Sequence, residues 1–219
     1  MTTDKAAVDE RLTSEKILEV ARDQVRRFGE AKTNVVDIAR ALGTSHTTIY
    51  RRFRSKAEVF DAIVVAAMRD EEVLARAYVH ADGPASERLL AFVLALHQRK
   101  RERLKNDPEL YQLYRRVVDE RPDIVQDYAQ AMTRLIAAIL SDGVNRNEFR
   151  IDDIAAAAGV VRDAATVYVD PARVEAAVRS GFTVEPAIRN TMNTLIVAFR
   201  TGMAYGGPNR VKYKRDAKR

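Results

Sequence analysis

The chain has 219 residues and a net charge of +6, and 47% of its residues are hydrophobic. That content supports packed cores in one or two domains and excludes a chain that stays unfolded. The absence of cysteine excludes disulfides and thiolate metal sites. No uncharged stretch approaches the roughly 20 residues that span a bilayer, and the N-terminus lacks the apolar run of a signal peptide. We therefore expect a cytoplasmic protein with no membrane partner.

The positive charge is concentrated at the two ends of the chain. Residues 1–56 carry 12 Lys and Arg against 8 Asp and Glu, whereas residues 57–209 carry 19 against 22. The last ten residues carry 6 against 1. Because nucleic-acid binding depends on phosphate neutralisation, either basic segment is a candidate polyanion contact. An excess of this size is also common on an ordinary solvated surface, so charge alone leaves both interpretations open.

Apolar residues recur at helical spacing along most of the chain, which predicts an all-α fold. The first helix is predicted to begin with Ser14 as its N-cap, to bury a stripe that ends at Phe28, and to stop at Gly29. Asn34 and Asp37 form a pattern like a capping box at the start of a short second helix.

Two further helices follow a turn at Gly43. Ser45 is predicted to cap a third helix that runs through Phe53. Ser55 and Glu58 form a capping box that opens a long fourth helix. Later helices are predicted at about residues 85–105, 108–119, 122–142, 151–169, 171–179 and 184–203, with prolines and glycines at most of the breaks.

The segment Asn34–Phe60 carries a specific pattern. Its matching elements are Asp37-Ile38-Ala39, Gly43, Ser45, Thr48-Ile49-Tyr50, Phe53, and a Ser-Lys-x-Glu-x-Phe run that ends at Phe60. In these elements the chain resembles the TetR family of bacterial repressors, and the first helix fits as well. The resemblance implies a three-helix helix-turn-helix domain at residues 13–57, followed by a larger helical bundle at 58–205 that binds an effector and dimerises. A flexible arm at 1–12 and a basic, disordered tail at 206–219 complete the expected organisation.

The recognition helix of a helix-turn-helix lies in the major groove of DNA. Its threonines suit base edges, its arginines suit guanine or phosphate, and the resemblance implies that Tyr50 and Lys56 contact phosphates. Alternatives stay open, since Tyr50 also suits a core and His46 also suits solvent. The predicted DNA-binding residues are Ser45, His46, Thr47, Thr48, Tyr50, Arg51, Arg52, Arg54 and Lys56.

A short helix-turn-helix reads few base pairs, so we expect a homodimer on a palindromic operator of double-stranded DNA. The resemblance implies an interface from the last two long helices, although the same residues would also suit an internal core. The predicted interface residues are Ala158, Val161, Ala165, Tyr168, Met192, Leu195, Ile196 and Phe199.

The resemblance also implies a largely apolar effector pocket within residues 60–142. Its chemistry does not follow from the sequence, so the small-molecule effector is unknown, and each pocket residue would equally suit a plain core. The predicted pocket residues are Phe92, Leu96, His97, Tyr111, Tyr114, Tyr128 and Met132.

Enzymatic activity has little support in the sequence, and no metal or other cofactor is expected. The three histidines lack helical metal-ligand spacing, and the adjacent pairs Glu71-Glu72 and Asp152-Asp153 are interpreted as solvated surface. The predicted function is a repressor that a small molecule releases from its operator. Two alternatives are an architectural nucleoid protein without an effector, and a helical binding protein whose basic N-terminus is incidental.

Overall fold

The computed structural model describes residues 13–202, so the predicted arm and tail lie outside the described residues. The described part is built from α-helices, as predicted, and none of them combines the length and the hydropathy needed to cross a lipid bilayer. The ten helices of residues 13–202 are α1 (Ser14–Phe28), α2 (Val35–Ala41), α3 (His46–Tyr50), α4 (Lys56–His80), α5 (Ala85–Asn106), α6 (Pro108–Glu120), α7 (Pro122–Asn145), α8 (Ile154–Val169), α9 (Pro171–Arg179) and α10 (Glu185–Thr201).

Two of the predicted N-caps are confirmed. The Ser45 hydroxyl accepts a hydrogen bond from the Thr48 amide at 3.2 Å, which caps α3. The Ser55 hydroxyl accepts from the Glu58 amide at 3.1 Å, and the Glu58 carboxylate accepts from the Arg54 amide at 2.5 Å. The start of α4 is therefore held from both sides, close to the pattern of a capping box.

The first two helices begin differently from the prediction. Thr13, not Ser14, caps α1, because Thr13 is extended and its hydroxyl accepts from the Lys16 amide. Asn34 precedes α2 without a side-chain cap bond, and Asp37 pairs instead with Arg40 at 3.0 Å.

Two helix ends also depart from the prediction. Phe28 was expected to be buried but is 54% exposed, because it is the last residue of α1 and lines an open surface groove with Lys32 and Arg40. The third helix ends at Tyr50, and Phe53 packs into the core from the turn that follows.

Two hydrophobic cores hold the described residues together. The N-terminal core combines α1, α2, α3 and the first half of α4 with Leu110, Leu113, Tyr114 and Val117 of α6. The C-terminal core combines the end of α4 with α5, α7, α8 and α10. Because α6 packs into the N-terminal core, that core extends beyond the predicted boundary between residues 57 and 58.

Ion pairs reinforce the packing of α6 against the N-terminal helices. Arg26 of α1 pairs with Asp107, the residue before α6, at 2.5 Å. Arg116 of α6 pairs with Glu30, which follows α1, at 2.9 Å. Arg121, after α6, pairs with the buried Asp61 of α4. The N-terminal helices are thus tied to α6 by charge as well as by apolar contact.

Candidate DNA-binding surface and sensor cavity

The turn between α2 and α3 sets the direction of the third helix. Gly43 has a φ of 65°, a left-handed conformation that glycine adopts without a Cβ penalty. Ile49 is fully buried and anchors one face of α3 in the N-terminal core. The opposite face of α3 therefore points away from the protein.

The exposed face of α3 is polar and basic. His46, Thr47, Arg51 and Arg52 are exposed, and Tyr50 is 43% exposed, which rules out the alternative that Tyr50 is a core residue. The rings of His46 and Tyr50 pack edge to face with centroids 6.2 Å apart. These side chains offer hydrogen-bond donors and positive charge to an approaching duplex.

Two arginines near the end of this face keep their charge available. Arg52 and Arg54 are exposed and have no carboxylate within 4 Å among residues 13–202, although the charge of Arg52 also acts on Glu15 of α1. Lys56, at the start of α4, is half-buried and places its ammonium 5.2 Å from the centre of the Phe60 ring. The cationic side chains after α3 therefore differ in how freely they can reach a phosphate.

Thr48 is the one predicted contact residue that the structure buries. It is 3% exposed, its hydroxyl lies 2.9 Å from the Ser45 hydroxyl, and it accepts a bond from Arg51 at 3.4 Å. The prediction of Thr48 as an outward-facing DNA contact is wrong, because the cap of α3 turns this side chain inward. Thr48 instead supports Ser45 and Arg51.

An apolar cavity of about 150 Å³ lies among α4, α5, α6, α7, α8 and α9. Most of its wall is carbon, which is usual for a small-molecule site. The predicted pocket residues that line it are Phe92, Leu96, Tyr114, Tyr128 and Met132.

Two predicted pocket residues lie elsewhere. His97 is buried with its Nδ1 2.8 Å from the Tyr168 carbonyl oxygen, so the ring is fixed between α5 and α8. The Tyr111 hydroxyl donates to the Pro171 carbonyl at 2.7 Å and links α6 to α9. Both side chains have structural partners, and the prediction that they line this cavity is wrong.

The sequence analysis did not predict several of the residues that line the cavity, and Lys100 is the most informative of them. It lies four residues after Leu96, so it continues the apolar stripe of α5. A lysine on such a stripe is a detectable signal, because a buried ammonium needs a partner. Arg162 and Thr166 of α8 also line the cavity.

Lys100 belongs to a buried charged network beside the cavity. Its ammonium lies 2.8 Å from the Glu71 carboxylate, and Lys100 and Glu71 are 2% and 0% exposed. Arg103 donates to the other Glu71 oxygen at 2.6 Å, and the Tyr128 hydroxyl donates to Glu71 at 2.7 Å. The prediction that Glu71 is solvated surface is therefore wrong.

The network determines the charge state of both partners. Burial by itself raises the pKa of the Glu71 carboxyl, but Lys100, Arg103 and the Tyr128 hydroxyl together hold that pKa below its ordinary value. Burial lowers the pKa of the Lys100 ammonium despite the opposing effect of Glu71. Each charge of the buried pair therefore offsets part of the cost of burying the other.

The residues predicted to form the dimer interface mostly pack inside the chain. Tyr168 and Leu195 are half-buried, and the Tyr168 hydroxyl lies 2.7 Å from the Thr191 hydroxyl. Ala165 also lines the cavity. Six of the eight predicted interface residues are buried in the C-terminal core, which supports the alternative of an internal core for them; they are Ala158, Val161, Ala165, Met192, Ile196 and Phe199.

Comparison with known protein families assigns both parts of the chain. Residues 17–63 match the family described as bacterial regulatory proteins, tetR family. Residues 85–187 match the family described as tetracyclin repressor-like, C-terminal domain. The two matches together span well over half of the chain. No curated protein sequence matches at a significant level.

Solved structures of bacterial regulators share the fold. The FadR regulator of Bacillus subtilis in complex with stearoyl-CoA has a TM-score of 0.57 and 15% identity, covering 88% of this chain and 100% of its own. SmeT, the repressor of the Stenotrophomonas maltophilia multidrug efflux pump SmeDEF, has a TM-score of 0.59 and 17% identity, covering 87% and 92%. A transcriptional regulator from Cytophaga hutchinsonii has a TM-score of 0.64 and 16% identity, covering 85% and 97%.

Identities this low establish a common fold and nothing finer. The helix-turn-helix match covers most of α1, all of α2 and α3, and the beginning of α4, and the second match covers α5 to α9 and the first residues of α10. The chain therefore belongs to the TetR family of bacterial transcriptional regulators, which are DNA-binding proteins and not enzymes.

Proposed function

We propose that this regulator is a cytoplasmic repressor that binds a palindromic operator as a homodimer and is released by a small-molecule effector. One observation carries the proposal. Met68 of α4 and Tyr114 and Val118 of α6 line the apolar cavity. The same two helices pack against α1, α2 and α3 in the N-terminal core.

We assign DNA contact to the exposed side chains of α3 and of the turn that follows it. Thr47 reaches base edges, Arg51 and Arg52 pair with guanine or phosphate, and Tyr50 and Arg54 contact the backbone. Ser45, His46 and Lys56 stay in the set, whereas Thr48 leaves it because it is buried. A helix with one anchored face and one polar, basic face suits the major groove.

Effector binding acts in this proposal by shifting α4 and α6. Two recognition helices must stand about one DNA turn apart, roughly 34 Å, to bind adjacent half-sites. The pairs Arg26–Asp107 and Arg116–Glu30 make the N-terminal helices follow α6. A ligand that favours another position of α6 therefore lowers operator affinity as a population shift.

Dimerisation is assigned to the outward faces of α8 and α10. Val160 and Val167 of α8 and Val197 of α10 are exposed apolar residues. Gly159 lies beside them, and a Cβ on it would meet no atom within 4 Å in the described chain. A second copy of the chain covers this valine face in the proposed dimer.

The relatives support this proposal from two directions. SmeT is a repressor of an efflux pump, and the FadR structure holds stearoyl-CoA. Both properties belong to those proteins. They favour, for this chain, repression that responds to a small molecule over an effector-independent architectural role, and the apolar cavity gives such a molecule a place to bind.

Fluorescence anisotropy with DNA from upstream of the protein's own gene tests the proposal. Wild type is expected to prefer that DNA over a scrambled duplex at about 150 mM salt, where specific and non-specific affinities separate. Tyr50→Ala and Arg51→Ala should weaken binding, while Arg179→Ala, an exposed arginine on α9, should leave it unchanged. Equal affinity for both duplexes would favour the architectural alternative, and no binding would refute both.

A further inference from the structure

The cavity and the buried charged network share a wall. Lys100 lines the cavity, and its ammonium bonds to the Glu71 carboxylate at 2.8 Å and to the Tyr114 hydroxyl at 2.5 Å. An ammonium has three N–H donors. Within residues 13–202, Lys100 has no acceptor for the third.

The cavity's size and lining restrict what can occupy it. A volume of about 150 Å³ accommodates a molecule about as large as benzene. The wall is mainly aliphatic and aromatic carbon, from residues such as Phe92, Met132 and Ile136. The occupant is therefore small and apolar over most of its surface.

The charge beside the cavity selects the polar group of that occupant. Two cations, Lys100 and Arg103, contact the single carboxylate of Glu71, so the network itself carries one more positive than negative charge. Asp170 also lines the cavity, and its negative charge acts on Lys100 as well. A carboxylate accepts the unused N–H as a charge-assisted hydrogen bond, which is about twice as strong as a neutral one. An alcohol or an amide gains much less from the same donor.

Arg162 is the other cation on the wall, and it is less suited to the role. Its guanidinium is half-exposed and already bonds to the neighbouring Asp163 at 2.6 Å and 2.8 Å. Lys100 is 2% exposed and lines the cavity, and its carboxylate partner Glu71 is fully buried. A charge at Lys100 is therefore felt much more strongly than one at Arg162.

We propose that the effector is a small apolar carboxylic acid whose carboxylate binds Lys100 in competition with Glu71, an inference that rests on the proposed function of the chain as a ligand-responsive repressor. Two carboxylates at one ammonium repel each other, so the ligand weakens the bond between Lys100 and Glu71. Glu71 keeps Arg103, which already donates to its other oxygen at 2.6 Å. The carboxylate can thus turn toward Arg103 without losing a cationic partner, and α4 loses its direct link to Lys100.

Isothermal titration calorimetry on the full-length protein without DNA tests the ligand class. The acid probes are benzoate and hexanoate, and the neutral probes of matched size are benzyl alcohol and 1-hexanol. Wild type is expected to bind each acid at least about 10-fold more tightly than its alcohol, because one charge-assisted hydrogen bond changes an affinity by at least that factor. Glu71→Gln should increase this preference, since the competing charge is gone while the side-chain size is kept.

Lys100→Met should abolish the preference, whereas Arg162→Gln, the matched control, should preserve it. If Lys100→Met does not fold, the double variant Glu71→Gln/Lys100→Met removes both buried charges together, and it should also bind acid and alcohol equally. Equal binding by wild type, no binding of either class, or a preference that follows Arg162 would overturn the proposal. Operator affinity of the ligand-free protein is measured separately, so a failure of DNA binding is distinguished from a failure of the ligand assignment.

Discussion

The Lys100 ammonium lies 2.8 Å from the Glu71 carboxylate and joins α5 to α4 at the point where α4 passes from one core to the other. Residues of α4 up to Met68 belong to the N-terminal core, and Ala75 belongs to the C-terminal core. Glu71 lies between them and is completely buried. A movement of α5 at this contact can therefore be transmitted along α4 to α1, α2 and α3, which share a core with the first half of α4.

Replacing Lys100 alone is expected to destabilise the fold. Lys100→Met leaves the Glu71 carboxylate buried with Arg103 and Tyr128 but removes one of its two cationic partners, the ammonium at 2.8 Å. Removing one partner of a buried ion pair typically costs about 3 kcal/mol or more. Urea unfolding followed by circular dichroism should show a loss of about that size in the free energy of unfolding.

The double variant Glu71→Gln/Lys100→Met is the control for that experiment. Because it removes the buried carboxylate together with Lys100, it should recover part of the lost stability, with Arg103 left as the one cation of the network. A double variant less stable than Lys100→Met would contradict the assignment of the loss to a carboxylate that has lost one of its two cations.

Glu148 is expected to stabilise the start of α5 from a distance in sequence. Its carboxylate accepts hydrogen bonds from the backbone amides of Ala85 at 2.6 Å and Ser86 at 2.9 Å. Pro84, the N-cap residue of α5, makes no side-chain cap hydrogen bond itself. Glu148→Ala should lower the free energy of unfolding by about 1–2 kcal/mol, the usual effect of losing an N-cap. Asn145→Ala, an exposed change near the end of α7, should cost far less.

The same carboxylate predicts a pH dependence. Partial burial raises the pKa of Glu148, but the bonds from Ser86, Ala85 and Arg200 outweigh it and hold the pKa below the ordinary value of 4.5. A carboxyl with a lower pKa in the folded state contributes stability above the ordinary pKa and loses it as the pH falls through the folded value. Between pH 6 and about 3, wild type should therefore lose more stability than Glu148→Gln, and parallel curves would refute this role.

The proposed dimer face is tested by placing charge on it. Val160→Glu and Val197→Glu put a carboxylate on exposed apolar positions of α8 and α10, which a buried interface would not tolerate. Sedimentation velocity should show a monomer for either variant and a dimer for wild type. Val178→Glu is the matched control, since Val178 is a 47% exposed valine on α9, and it should leave the dimer intact. A dimer in all four proteins would place the interface elsewhere.

The arginines after α3 are expected to neutralise phosphates. Arg52 is exposed, and its interaction with Glu15 of α1 acts at longer range than an ion pair, so its guanidinium can contact DNA. Arg52→Ala should weaken operator binding and reduce the slope of log K against log salt by about 1. An unchanged slope, measured by anisotropy over a salt series, would remove Arg52 from the phosphate contacts.

The sequence predicts the helices well because their boundaries are local. Proline fixes the first turn of α6 at Pro108 and of α7 at Pro122, and both helices begin there as predicted. Ser45 and Ser55 act as caps for the same reason, since a cap depends on residues only three positions away.

The errors concern faces and partners that are distant in sequence. Thr48 lies in a run of polar residues, so only the folded cap shows that it turns inward. The alanines of α8 suit either an interface or a core, and packing within the chain decided for the core. Glu71 and Lys100 are 29 residues apart in the sequence, so their pairing becomes evident only when α4 and α5 lie side by side in the fold. The capping of α5 by Glu148 bridges an even longer separation.

The most direct test of the account is an anisotropy titration of the operator complex with hexanoate. Coupling between two sites usually changes affinity by a factor of about 5 to 150. Saturating hexanoate is expected to weaken operator binding by wild type at least about 5-fold and to leave binding by Lys100→Met unchanged, while 1-hexanol has little effect on either. Calorimetric binding of hexanoate without any change in operator affinity would contradict the claim that the cavity controls the DNA-binding helices.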